Sequence, residues 1–140
     1  YIIKEDNTEE YVEVKSVVLC DFEKNNYPSF VDPEISRLKE YKKAAIFPDG
    51  FRKNKNVPIS ERAIKHIETL SKIKQEQNIN TSLYFIVQRD DCDYFKPSYK
   101  DQFYKEALKK NKDFINIKAI SVSWNNMGKC NFSKELPVII

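Results

Sequence analysis

Five consecutive apolar residues, Leu83-Tyr84-Phe85-Ile86-Val87, constrain this chain more than any other feature. The run has the length of a strand and is built from aromatic and branched side chains that suit one. A strand with no polar side has no face to give to water, so it reads as a central strand covered on both faces. Such a strand needs partner strands on either edge and helices to cover it, which points to a mixed α/β sheet rather than a bundle or an all-β sandwich. Gln88-Arg89-Asp90-Asp91 follows at its end. A strand end beside a sheet crevice is where open α/β folds place chemistry. The alternative for Arg89 and Asp91 is a surface ion pair.

A second strand is expected over Tyr11-Val12-Glu13-Val14-Lys15-Ser16-Val17-Val18-Leu19, with neither Gly nor Pro to interrupt it. Side chains alternate along a strand, so Glu13 and Lys15 leave by one face and Val12 and Val14 by the other. A carboxylate and an ammonium then stand together in an otherwise apolar segment, where burial is costly without a partner. Two readings follow. One is a salt bridge on a solvated face. The other is a metal-binding Glu beside a catalytic Lys.

The remaining elements fall into place around these two. Tyr1 to Ile3 is the tail of a strand and residues 4–10 a turn, so the chain opens on a hairpin with a shortened first arm. A domain seldom begins mid-strand, so the expectation is a C-terminal part of something longer. Cys20 to Lys43 reads as a surface loop with a helical turn around residues 34–42. Ala44 to Phe47 is apolar and ends at the turn Pro48-Asp49-Gly50. Phe51 to Asn56 is a basic, exposed connection. Ser60 caps a helix whose stripe is Ala63, Ile64, Ile67, Leu70 and Ile73, ending near Gln77. Arg62, His66 and Thr69 lie on one edge of that stripe. His66 is the single histidine, either a satisfied boundary residue or a group facing a cleft. Phe95 to Pro97 reads as loop. Ser98 and Asp101 form a capping box for a helix to about Lys110, with Phe103, Tyr104, Ala107 and Leu108 facing inward. Ile115 to Trp124 is a strand, Asn125-Asn126-Met127-Gly128 a hairpin turn, and Lys129 to Phe132 the return. Val138 to Ile140 reads as a short last strand. No internal repeat and no second domain is visible.

Composition removes several classes of function. The chain has only two glycines, Gly50 and Gly128, so neither a phosphate loop nor a dinucleotide fingerprint is present. No apolar run is long enough to span a membrane. Three widely spaced cysteines, Cys20, Cys92 and Cys130, form no CxxC pair and read as reduced thiols of an intracellular protein rather than a zinc site. A net charge of +3 is weak support for a nucleic-acid partner.

Five pieces, taken in order, resemble one family. They are Val12-Glu13-Val14-Lys15-Ser16-Val17; Phe47-Pro48-Asp49; Arg62 with Lys65-His66-Ile67 and Leu70; Phe85-Ile86-Val87-Gln88-Arg89 with Asp91, Phe95 and Pro97; and Leu136-Pro137-Val138. No single piece is specific, but the string spans nearly the whole chain. It is similar to the sugar fermentation stimulation protein family, SfsA.

That resemblance implies a restriction-endonuclease-like fold, a mixed β-sheet flanked by α-helices, related to PD-(D/E)xK nucleases. It implies residues 1–140 as one such domain, with an N-terminal OB-like domain and a first catalytic strand outside the chain, and with insertions at 20–43 and 51–59. The family is described as DNA-binding and linked to regulation of sugar metabolism, although nothing in the residues supports a sugar pocket. The resemblance maps Glu13 and Lys15 onto the (D/E)xK half-motif and adds Gln88 and His66 to a catalytic group. Glu13, the Val14 carbonyl and Asp49 become the metal ligands, for Mg²⁺ or Mn²⁺ held weakly. Arg52, Arg62, Lys65 and Arg89 become the DNA contacts, with Lys53 and Lys55 either contacts or solubility charges. DNA is the implied partner, with room for a homodimer and no small-molecule cofactor or membrane.

The chain departs from the pattern in three respects. The family's first acid corresponds to a position just before Tyr1, so this chain alone is expected to be inactive. The loop from Cys20 to Lys43 is longer than usual, and another insertion separates Asp49 from Ser60. The small residue after Arg62 is Ala63 rather than Gly. An inactive DNA-binding module that keeps the fold therefore stands as the alternative to a nuclease.

Overall fold

The computed structural model describes residues 2–3, 6–22 and 42–140. The helical turn expected around residues 34–42 falls, Lys42 excepted, outside them. The described elements run β1 (Ile2–Ile3), β2 (Glu9–Val17), β3 (Cys20–Phe22), β4 (Lys43–Phe47), α1 (Glu61–Gln77), β5 (Asn80–Val87), β6 (Tyr94–Pro97), α2 (Gln102–Asn111), β7 (Asn116–Trp124) and β8 (Cys130–Leu136). They form a five-stranded sheet of order β1-β2-β5-β7-β8 and a three-stranded sheet of order β3-β4-β6.

The apolar run forms the middle strand of the larger sheet, as its composition requires. β5 lies parallel to β2 on one side and to β7 on the other. Antiparallel β1 and β8 complete the edges. In the β2–β5 register Glu13 stands opposite Leu83, Lys15 opposite Phe85 and Val17 opposite Val87. Paired residues share a face, so the charged side of β2 is also the side that meets the core. Leu83, Phe85 and Val87 are wholly buried there against Ala63, Ile67 and Leu70 of α1 and Tyr104 and Leu108 of α2. The other face is more open: Val14 is 56% exposed and Trp124 54%.

The smaller sheet was not legible as a sheet. Cys20–Phe22 and Tyr94–Pro97, both read as loop, are strands flanking β4. Each is too short to show a period, and each sits among turn-forming residues. The disposition of the cysteines also differs from the free thiols expected: Cys20 and Cys92 are paired as a disulfide, with Cα atoms 6.4 Å apart. The pair joins β3 to the β5–β6 connection. Val138 makes a single parallel bridge to Phe95 and no strand.

Both helices start where a side chain ends the orphaned amides. Ser60 accepts from the Ala63 amide, and Asn78, at φ 54°, closes α1 in the left-handed region. For α2 the cap is Asp101, not Ser98. Asp101 Oδ1 accepts from the Tyr104 amide at 3.1 Å, and Oδ2 accepts from the Ile59 amide at 2.7 Å. One fully buried carboxylate thus ties the start of α2 to the residue before the α1 cap.

Replacing Asp101 with Ala removes a helix cap and leaves the half-buried Ile59 amide unpaired. We expect a loss of about 3 kcal/mol in urea unfolding, with Asp101→Asn recovering part of it because one acceptor oxygen is kept.

Candidate functional site

The strand alternation of β2 and the first two turns of α1 meet at one point. Glu13 and Lys15 leave β2 on the core-facing side, and His66 leaves α1 on the edge of its buried stripe. Glu13 Oε1 accepts from Lys15 Nζ at 2.5 Å and from His66 Nδ1 at 2.6 Å. Lys15 Nζ and His66 Nδ1 lie 2.9 Å apart. A carboxylate oxygen only accepts, so the imidazole proton on Nδ1 points to Glu13. The two donors crowd together because they share one acceptor.

All three side chains are partly shielded: 28% of Glu13, 13% of Lys15 and 30% of His66 remain exposed. Burial works to raise the Glu13 pKa. The hydrogen bonds and charges of Lys15 and His66 outweigh it and hold the carboxyl below its usual range. Glu13 is therefore an anion at neutral pH. Its Oε2 has no hydrogen-bond partner among the described residues.

Strand geometry also places the Val14 carbonyl. The Gln88 amide donates to the Val17 carbonyl at 2.8 Å. Backbone groups point alternately to the two edges of a strand, so the carbonyls of Val17, Lys15 and Glu13 face β5. That of Val14 faces the other edge, beyond the last residues that β1 covers. Val14 thus presents a backbone oxygen at that edge.

Of the four residues expected to be catalytic, Glu13, Lys15 and His66 come together and Gln88 does not. Gln88 follows Val87 and so falls on the opposite face. Its Nε2 donates to Ser16 Oγ at 3.2 Å, and its Oε1 accepts from Trp124 Nε1 at 3.1 Å. Asp49 lies on an exposed turn after the cis peptide Phe47–Pro48, with no hydrogen bond or ion pair to Glu13.

The basic residues divide similarly. Arg62 is exposed one helical turn before His66, and Lys65 is exposed beside it. Both therefore flank the cluster. Arg52 donates to the Lys55 carbonyl at 3.3 Å within the β4–α1 connection. Arg89 is held by Asp91 through two hydrogen bonds of 2.8 and 2.6 Å, the surface-pair alternative. Lys43 adds a third donor to Asp91 at 3.1 Å. Cys20, Asp91 and Cys92 bring potential metal-ligating atoms within 4.8 Å of one another. The two sulfurs are bonded to each other and Asp91 is taken by Arg89 and Lys43, so that group is already satisfied.

One residue was hidden by the sequence. Tyr104 belongs to the inward stripe of α2 and is wholly buried, yet its hydroxyl has no hydrogen-bond partner. An unmade bond of this kind costs about 1–3 kcal/mol. Burial first, then the Glu13 and Asp101 carboxylates, push its pKa up, which keeps it a protonated donor. Helical periodicity marks such a position as apolar; only the fold shows that its hydroxyl is buried without a partner.

A family model described as the sugar fermentation stimulation protein RE domain matches residues 1–128. No curated protein matches the chain. Among solved structures the chain is similar to Pyrococcus furiosus SfsA in complex with Ca²⁺, with 24% sequence identity and a TM-score of 0.64. The alignment covers 94% of this chain and 45% of that one. At that identity the likeness shows a shared fold, and the chain spans less than half the length of its relative.

The Asp91 cluster yields a pH prediction. Hydrogen bonds from Arg89, opposed by burial and aided by Lys43, lower the Asp91 pKa from 3.8 to about 2. A depressed carboxyl stabilises the fold above its unfolded value and loses that contribution as pH falls through the folded one. Asp91 is 37% exposed, so screening reduces the effect to about 1 kcal/mol. We expect Asp91→Asn to be less stable by that amount at neutral pH. The gap should close between about pH 4 and pH 2 in urea melts.

Proposed function

The chain belongs to the sugar fermentation stimulation protein family, and from that premise we propose that Glu13, Lys15 and His66 form a metal-dependent phosphodiesterase-type site that acts on DNA. Under this reading Glu13-Val14-Lys15 is the (D/E)xK half of a nuclease motif. The observation that carries it is the convergence of an anionic Glu13 with two nitrogen donors from separate elements.

Two groups suit a hard divalent cation. Glu13 Oε2 has no hydrogen-bond partner among the described residues, and the Val14 carbonyl points to the edge of β2 away from β5. The Ca²⁺ bound by the Pyrococcus protein supports an oxygen-ligated ion of this kind. Mg²⁺ or Mn²⁺ takes one or two carboxylates and keeps several waters, so a single Glu gives weak affinity. When bound, such an ion polarises a phosphodiester and supplies hydroxide near neutral pH. Lys15 would offset negative charge on the attacked phosphate. His66 would accept or return a proton while its Nδ1 stays oriented by Glu13. Arg62 and Lys65 would grip flanking phosphates.

A second reading has support of its own. Glu13 is the only carboxylate in the cluster among the described residues, which suits a module that binds DNA without cutting it. The two readings share the binding surface and differ in chemistry.

Titration of the chain with Mn²⁺ by calorimetry should give weak binding that Glu13→Gln abolishes. Unchanged affinity in that variant would falsify the metal site. Duplex DNA binding should weaken steeply with salt, and Arg62→Ala with Lys65→Ala should reduce the log–log slope by about 2. Mn²⁺-dependent cleavage that disappears in Lys15→Ala favours the phosphodiesterase; salt-sensitive binding without cleavage favours the module. Absence of DNA binding at low salt rules out both.

A further inference from the structure

Two connections leave one end of the smaller sheet together and reach the helices together. Phe47 and Pro97 end the parallel strands β4 and β6 side by side, and the Ser98 amide donates to the Phe47 carbonyl at 2.9 Å. One connection runs to Ser60 at the head of α1, the other to Asp101 at the head of α2. They meet again where the Ile59 amide donates to Asp101 Oδ2 at 2.7 Å. Gly50, at φ 128°, lies so close to Ile59 that a side-chain carbon there would sit 3.4 Å from Ile59 Cγ2. The longer connection is thereby folded back towards the shorter one.

Each connection carries an aromatic ring followed by cations: Phe51-Arg52-Lys53 in one, Tyr99-Lys100 in the other. Rings of this size contribute most when buried, yet Phe51 is 95% exposed and Tyr99 54%. Phe51 follows Gly50 directly and Tyr99 stands two residues before Asp101, so both leave the backbone beside the same contact. Lys100 Nζ is 5.8 Å from the centre of the Tyr99 ring. Tyr99 also shares a cavity of about 250 Å³ with Lys96 and Lys105. Residues 48–66 and 96–105 hold eight Lys or Arg against three acids, in a chain whose totals are 24 and 21. One of those three, Asp101, is buried and committed to two amides. The positive excess is therefore gathered at this end, which suits a polyanion.

Cations alone would take a duplex or a single strand alike. Rings discriminate, because a duplex keeps its bases stacked on one another, whereas an unpaired strand offers the face of every base. We propose that Phe51 and Tyr99, with the cations beside them, bind an unpaired stretch of DNA by stacking on its bases. The inference rests on the DNA reading above and deepens it by naming the form of DNA. Arg62 and Lys65 on the first turns of α1 connect this surface to the Glu13 cluster.

The test follows fluorescence anisotropy of a labelled oligothymidylate and of a duplex of the same length, with a chelator present so that no cleavage intervenes. Phe51→Ala alone, at a position almost wholly exposed, is expected to weaken oligothymidylate binding about fivefold or more, and Phe51→Ala with Tyr99→Ala about twentyfold or more, while duplex affinity stays within about twofold. Tyr99→Phe keeps the ring and should bind as the parent does. Lys53→Ala with Lys100→Ala should reduce the log–log salt slope on the single strand by about 1.4. The inference is overturned if Phe51→Ala, melting like the parent, holds oligothymidylate as tightly as before, or if the aromatic variants lose duplex and single strand equally. It is also overturned if polyglutamate displaces the labelled strand from the parent as well as unlabelled oligothymidylate does, which would mark a surface for acidic proteins. If the parent binds neither form of DNA at low salt, the DNA reading itself is refuted, a result distinguishable from DNA binding to which the rings contribute nothing.

Discussion

The parallel pairing of β2 with β5 is the constraint on which the rest depends. A register fixes which side chains share a face, and here it assigns Tyr11, Glu13, Lys15 and Val17 to the same face as Leu83, Phe85 and Val87. A slip of one residue would bury Val12 and Val14 and send both charges to the open face. The observed register keeps a carboxylate and an ammonium at the margin of the core. Desolvation opposes that arrangement, and two hydrogen bonds to one oxygen offset it. His66 is what makes the compromise workable, because it brings a second donor from a different element.

Much of the architecture was legible because long periodic segments state their face. The β5 run, the Ser60-capped helix and the β7–β8 hairpin are where composition and spacing put them. The short strands of the second sheet were not, since three or four residues show no period and their pairing is decided by distant contacts. Gln88 is instructive in a different way. The family resemblance put it in the catalytic group from its place at the end of the core strand, but the two-residue period of a strand sends neighbours to opposite faces. Val87 is in the core, so Gln88 could not be, and it binds Ser16 and Trp124 instead.

The site was half legible for a related reason. Glu13 and Lys15 are conspicuous as charges in an apolar strand, and His66 as the single imidazole beside a buried stripe. Arg89 and Asp91 were equally conspicuous, and they form a pair with each other. Charge in a sequence identifies residues needing a partner without saying which partner. Tyr104 shows the opposite failure: its apolar ring satisfied the helical pattern, so its hydroxyl passed unnoticed.

Asp101 and Glu13 make the same argument from two sides. Both are carboxylates shielded from solvent, and both accept from two donors. Asp101 spends both oxygens on backbone amides and is complete as a structural group. Glu13 places both donors on one oxygen and leaves the other without a partner among the described residues. A purely structural ion pair would gain from using both oxygens, as Asp91 does with Arg89. The lopsided use of Glu13 leaves one of its oxygens with a polar requirement unmet among the described residues. Local rules are most often broken where function requires it. Under the proposed reading, that oxygen is where a divalent cation would bind.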